Sequence, residues 1–157
     1  MTYVRNFFGN YLLMSAISGW LVAQILKMFT GLLSRDNFNI IKLLFSNGGM
    51  PSSHSATVMA LTTASAVQYG LGSAYFAITA VLAFIVMNDA AGVRYQTGKQ
   101  AKILNRILED FFSDDPKIAD AGLKELVGHT PLQVFMGALT GIGVGIGMGF
   151  LMQVILI

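Results

Sequence analysis

The 157 residues read as an all-α, multi-pass membrane helix bundle with about four transmembrane helices and a cytoplasmic helical extension of the third. Composition points there first: 54% of the residues are hydrophobic and only 11% charged, with a mean hydropathy of +0.63. A water-facing domain carries roughly a quarter charged residues, so most of this surface has to meet lipid. The apolar residues also fall in long runs without period-two alternation, which disfavours a membrane β-barrel. The positive charges, finally, gather in two of the intervening loops.

Crossing a hydrocarbon core of ~30 Å takes about 20 helical residues. A first span from about Phe7 to Phe29 is too long for the apolar core of a cleavable signal, and no small-residue cleavage site closes it, so it reads as retained. A second runs from about Ser55 to Leu71, or from Pro51, and a third from Ala74 to Met87. The fourth begins at Pro131 and continues to the C-terminus. All four belong to one membrane-embedded domain, residues 1–157.

Lys27, Arg35 and Lys42 follow the first span, and Arg94, Lys99, Lys102, Arg106, Lys117 and Lys124 separate the third from the fourth. The Gly70–Ser73 turn and the C-terminus carry no cation, and the N-terminus only Arg5. The positive-inside bias therefore puts both polar loops in the cytoplasm and both termini outside it. A re-entrant first span, or entry of Phe38–Phe45 into the bilayer, would reverse that topology. Beyond the third span, Ile103, Leu104, Ile107, Leu108 and Phe111 form an apolar stripe at helical spacing, which "SDDP" at Ser113–Pro116 ends. With no cysteine, the chain forms neither disulfides nor thiolate metal sites.

Both histidines lie in loops that open spans. In "GGMPSSHSA", Gly48–Ala56, Pro51 suits a first helical turn, the serines cap backbone donors, and Gly49 lets the chain approach a ligand. The free N–H groups and positive dipole end of such a helix make an anion site, although an ordinary capped helix has the same residues. In "GHTPLQVFMG", Gly128–Gly137, Thr130 is a natural N-cap and Pro131 a first helical residue. Both histidines then sit at helix starts facing one compartment, which favours an anion pocket over mere packing. No carboxylate–histidine spacing there calls for a metal.

"PSSHSA" resembles the proline–serine–glycine–histidine motif of the type 2 phosphatidic acid phosphatase superfamily, which includes the vanadium haloperoxidases. "HTPLQVFMG" resembles the end of that superfamily's third motif. With "GVRYQTGKQAKILN", most of the chain looks like a divergent, small branch of the superfamily. The resemblance implies hydrolysis of a lipid phosphate monoester with no cofactor. It makes His129 the nucleophile that carries a phosphohistidine and His54 the acid that protonates the leaving oxygen, with Ser52 and Ser53 holding phosphate oxygens. This sequence departs from the pattern in several places. Ser53 replaces the motif glycine, and Gln133 replaces the aspartate that orients the nucleophile. Leu123 stands where an arginine is expected, beside Lys124. The lysine–arginine–proline first motif is absent in strict form, with Lys27 and Arg35 as its candidates.

Arg94 is the preferred replacement cation, with Lys27 and Lys124 as further phosphate ligands; an interfacial anchor is the plain reading of Arg94, and snorkelling that of Lys27. Asp89, beside an apolar run, should pair with a basic residue or support a histidine. The expected partners are a lipid phosphate and the membrane lipids, with no nucleic acid. Gly137, Gly141, Gly145 and Gly149 form a ridge for a homodimer or for packing within the monomer. The rival function is a non-catalytic phospholipid-binding or transport protein that keeps the pocket; a scaffold held by the glycine ridge would leave both histidine loops unexplained.

Overall fold

The computed structural model describes residues 2–33, 49–112 and 128–155. Its regular structure is all helical: α1 (Thr2–Phe8), α2 (Tyr11–Leu33), α3 (Ser53–Tyr69), α4 (Ala74–Ala91), α5 (Val93–Phe112) and α6 (Pro131–Ile155). Among the described residues, three stretches are long and apolar enough to cross a membrane: Tyr11–Gly31, Ala74–Leu108 and Pro131–Leu151. The expected second span corresponds to α3, which has 17 residues and is therefore about 26 Å long.

Most of α3 is buried, at Ser53, Ser55, Ala56, Val58, Ala60, Thr62, Ala64 and Ser65, while His54, Val67 and Gln68 are exposed. It packs against α2, α4 and α6. A helix wrapped by protein gains nothing from large lipid-facing side chains, so small and hydroxylated residues serve it. The hydroxyls find local acceptors. Thr62 Oγ1 donates to Val58 O at 2.8 Å and lies 3.0 Å from Thr79 O on α4, and Ser65 Oγ donates to Leu61 O.

Glycines set how closely the neighbours approach. A Cβ at Gly19 of α2 would lie 2.7 Å from Ala60 Cβ. On α6, a Cβ at Gly137 would strike Ser52 O, one at Gly141 would strike Ala56 O, and one at Gly145 would come within 2.6 Å of Thr63 Cβ. The Gly137–Gly149 ridge is thus occupied inside the chain by α3, and a second copy would have to use another face. Gly143 and Gly147 look onto open space.

Two boundaries differ from the sequence expectation. The first apolar run is not one helix from Phe7. Gly9 N closes α1 on Arg5 O, and Asn10 restarts the chain by accepting Leu13 N at its Oδ1, 3.1 Å away. An asparagine N-cap after a glycine outweighs the continuity of the hydrophobic pattern. Pro51, likewise, precedes the helix instead of opening it. Ser52 is the N-cap of α3 and its side chain accepts Ser55 N. Further along, Gly70 at φ +80° closes α3, and Ser73 caps α4 through Phe76 N.

The two glycine rows of α6 make a controlled comparison. Gly141→Ala should lower the detergent melting temperature clearly, whereas Gly143→Ala should leave it unchanged or raise it, since alanine favours a helix by roughly 0.5–1 kcal/mol. Equal melting temperatures for the two variants would contradict the α3–α6 contact.

Candidate functional site

The C-terminal ends of α2 and α4 and the N-terminal ends of α3 and α6 come together at one end of the bundle. Three polar contacts fix this layer. Ser52 N donates to Gln133 O at 3.0 Å, joining the start of α3 to the first turn of α6. His129 N donates to Ala90 O at 3.2 Å, joining the histidine loop to the end of α4. Thr30 Oγ1 donates to Met50 O at 2.6 Å, tying the other loop to α2. The two imidazoles face each other within this frame, ring centroids 6.0 Å apart and planes inclined by 61°.

His129 is 2% exposed. Its environment follows from the way α6 begins. Thr130 caps the helix by accepting Gln133 N at 3.4 Å, and Gln133 Oε1 turns back to accept Thr130 N at 3.0 Å. This reciprocal pair is a capping box. Because Oε1 already receives one backbone N–H, it is the acceptor toward His129 Nδ1, 3.4 Å away. Nδ1 therefore carries the proton and Nε2 keeps its lone pair. That Nε2 is buried with no hydrogen-bond partner. A buried nitrogen left unpaired is costly, and here it is the atom a nucleophilic role would need free.

Burial lowers the His129 pKa from 6.5 to about 4, the Lys27 charge pushes the same way, the Gln133 hydrogen bond opposes, and His54 and Arg94 add smaller downward pushes. The ring is neutral at neutral pH.

Lys27 projects from α2 into the same layer and is 1% exposed. Its Nζ donates to Ser53 Oγ at 3.3 Å. Among the described residues Asp89 pairs with Arg94, and no described carboxylate neutralises this ammonium. Removing an ammonium from water costs several kcal/mol unless an anion compensates. Gly49 lies along the Lys27 stem at φ +92°, backbone that a side chain would strain. Ser53 and His54 open α3, and their N–H groups have no intrahelical carbonyl to bond.

His54 is exposed, on the open side of the pair. Arg94 Nε donates to Asp89 Oδ2 at 2.6 Å, as expected for an acid beside an apolar run, and both side chains are exposed. Lys27, Arg94 and Asp89 all act electrostatically on His54. Ser52 is fully buried, its hydroxyl shared between Ser55 N and Ser55 Oγ. The layer therefore unites Lys27, Gly49, Ser52, Ser53, His54, Asp89, Arg94, His129 and Gln133, while Lys124 lies outside the described residues. Among those residues no three His, Cys, Asp or Glu side chains form a metal-binding group.

Sequence reasoning passed over Gly128 as a site residue. A Cβ there would collide with the backbone of Arg94 and Tyr95. Its absence lets the His129 loop lie directly on the α4–α5 junction. No local pattern marks such a long-range contact.

A family profile described as Divergent PAP2 family matches residues 8–144. The chain belongs to the divergent PAP2 family. Both histidine loops fall inside the matched region. A relative within reach of this membership is the uncharacterized membrane protein YuiD of Bacillus subtilis (strain 168), 42% identical over 143 residues, covering 85% of this chain and 90% of that protein. No solved structure matches the chain. Like YuiD, this divergent PAP2 protein is a membrane protein, and three of its stretches are able to cross a bilayer.

Two measurements follow. Histidine-resolved ¹⁵N NMR should find His129 neutral and Nδ1-protonated at pH 7, titrating near 4, and Gln133→Ala should release it to the Nε2-protonated tautomer. A ring titrating near 6.5 would contradict the buried environment. The unfolded chain takes up this proton at about 6.5 while the folded protein resists it down to about 4, so stability is whole above 6.5 and declines as pH falls between those values. His129→Gln should flatten that decline in detergent melting curves.

Proposed function

We propose that this protein hydrolyses a lipid phosphate monoester through a phosphohistidine on His129. The observation that carries the reading is the buried, unpartnered Nε2 of a neutral His129, set beside the buried ammonium of Lys27 and the first N–H groups of α3. An unpaired base and a cation with no carboxylate partner among the described residues fit a phosphate that satisfies both. Family membership supports the same chemistry.

In the first step His129 Nε2 attacks phosphorus and the P–O bond to the lipid breaks. His54 gives its proton to the leaving alkoxide, so a lipid alcohol departs. In the second step His54, now neutral, takes a proton from water as its oxygen attacks phosphorus. The P–N bond then breaks, freeing phosphate and His129. In-line displacement needs donors around the equatorial oxygens. Lys27, Ser53 and the α3 N–H groups supply them from inside. Arg94 supplies them from the rim, because an exposed pair such as Asp89–Arg94 is worth only about 0–1 kcal/mol and lets the guanidinium turn.

The headgroup enters from the cytoplasmic side, since the described cations Lys27, Arg94, Lys99, Lys102 and Arg106 lie at or beyond the site's end of the bundle. Phosphatidic acid, phosphatidylglycerol phosphate and polyprenyl phosphates are the substrates to test. Gln133, a neutral partner for His129 where the superfamily has a carboxylate, favours a second reading: binding or transport of a phospholipid without turnover.

The purified protein should release phosphate from at least one of these lipids without added metal, and vanadate should inhibit it. His129→Ala should abolish release while eluting as a folded protein. His54→Ala should slow poor leaving groups by about 10²–10⁴-fold and good ones much less. Labelled substrate should leave acid-labile phosphate on His129. Release undiminished in His129→Ala overturns the nucleophile; lipid binding with neither release nor labelling establishes the second reading.

A further inference from the structure

Apart from Arg94 in its first turn, α5 takes no part in the chemistry above. The apolar stretch Ala74–Leu108 takes in α4 and most of α5, 35 residues, about 52 Å of helix against a hydrocarbon core of ~30 Å. The apolar residues "AYFAITAVLAFIVM" belong to α4, so α5 begins where the hydrocarbon ends. Gly92, at φ −100° and ψ −87°, departs from helical geometry between the two and allows the second to turn aside.

Beyond Val93 at its start, four apolar side chains of α5 are exposed: Ile103 61%, Leu104 48%, Ile107 44% and Phe111 79%. At 3.6 residues per turn they share an arc of roughly 100°. Lys99, Lys102 and Arg106 run along one edge of that arc, with Asp110 beside them. Gly98 and Ala101, on the far side, are buried. The helix carries four cations against two carboxylates. Water alone does not account for such a stripe. A helix with one apolar face, a lysine- and arginine-bearing flank and an origin at the hydrocarbon boundary has the form of an interfacial helix.

We propose that α5 lies in the surface of an anionic bilayer, with Ile103, Leu104, Ile107 and Phe111 in the acyl boundary and Lys99, Lys102 and Arg106 on anionic headgroups. The proposal stands independently of the hydrolase reading. Its consequence for that reading is a raised density of anionic lipid beside Arg94, at the mouth of the histidine pair.

The chain contains no cysteine, so Ile107→Cys and Lys102→Cys in the full-length protein each accept one fluorophore. In nanodiscs of phosphatidylcholine with phosphatidylglycerol, brominated lipid should quench the position-107 probe several-fold more than the position-102 probe, and aqueous iodide should do the reverse. Lys99→Gln with Arg106→Gln should reduce the lipid quenching at position 107 toward its value in phosphatidylcholine alone. Equal iodide access at both positions overturns the proposal. So does shielding at position 107 that disappears with one protein copy per disc, which would make a second copy the occupant.

Discussion

The close approach of α6 to α3 is the constraint from which the rest of the architecture follows. Glycines at positions 137, 141 and 145 remove the side chains that would hold the two backbones apart. Only at that separation does Ser52 N reach Gln133 O, and that bond sets the starts of two helices level. Two sets of unpaired N–H groups then share one layer, and the histidines at those helix starts, His54 within the first turn of α3 and His129 just before α6, have little freedom to diverge. Lipid offers no hydrophobic force to press apolar helices together, so in this bundle shape complementarity between small residues does that work.

The buried hydroxyls of α3 fit the same picture. A membrane domain with a central helix of alanine, serine and threonine has to satisfy each hydroxyl without water. Thr62 and Ser65 do so by returning a bond to the preceding turn of their own helix. Such bonds leave the helix slim. The end that holds the histidine pair differs because His129 Nε2 has no partner among the described residues, in a place where unused capacity is expensive.

What the sequence disclosed and what it withheld divide along the range of the interactions. Thr130 as N-cap, Pro131 as first helical residue and the four-residue glycine spacing were legible, because each is a local preference with a short signature. The break at Gly9–Asn10 was local too, but the hydrophobic pattern masked it. The convergence of the histidines was inferable only through topology, from two helix starts facing one side. The choice between glycine rows was not inferable, since Gly143 and Gly147 look as suitable as their neighbours until α3 is in place. The role of Gly128 was invisible for the same reason: its constraint is the backbone of Arg94 and Tyr95, some thirty positions away. Nothing local marked the short, hydroxyl-rich α3 as the helix that packs against α2, α4 and α6.

The single oxygen Oε1 of Gln133 serves both the start of α6 and the orientation of His129. Because it belongs to an amide, it steers the imidazole without lending it negative charge. In a phosphoryl-transfer cycle the resulting imidazole is a feeble base. A feeble base captures phosphorus sluggishly, yet once phosphorylated it is readily expelled, so the amide would shift the kinetic bottleneck from release of the enzyme-bound phosphoryl group to its capture.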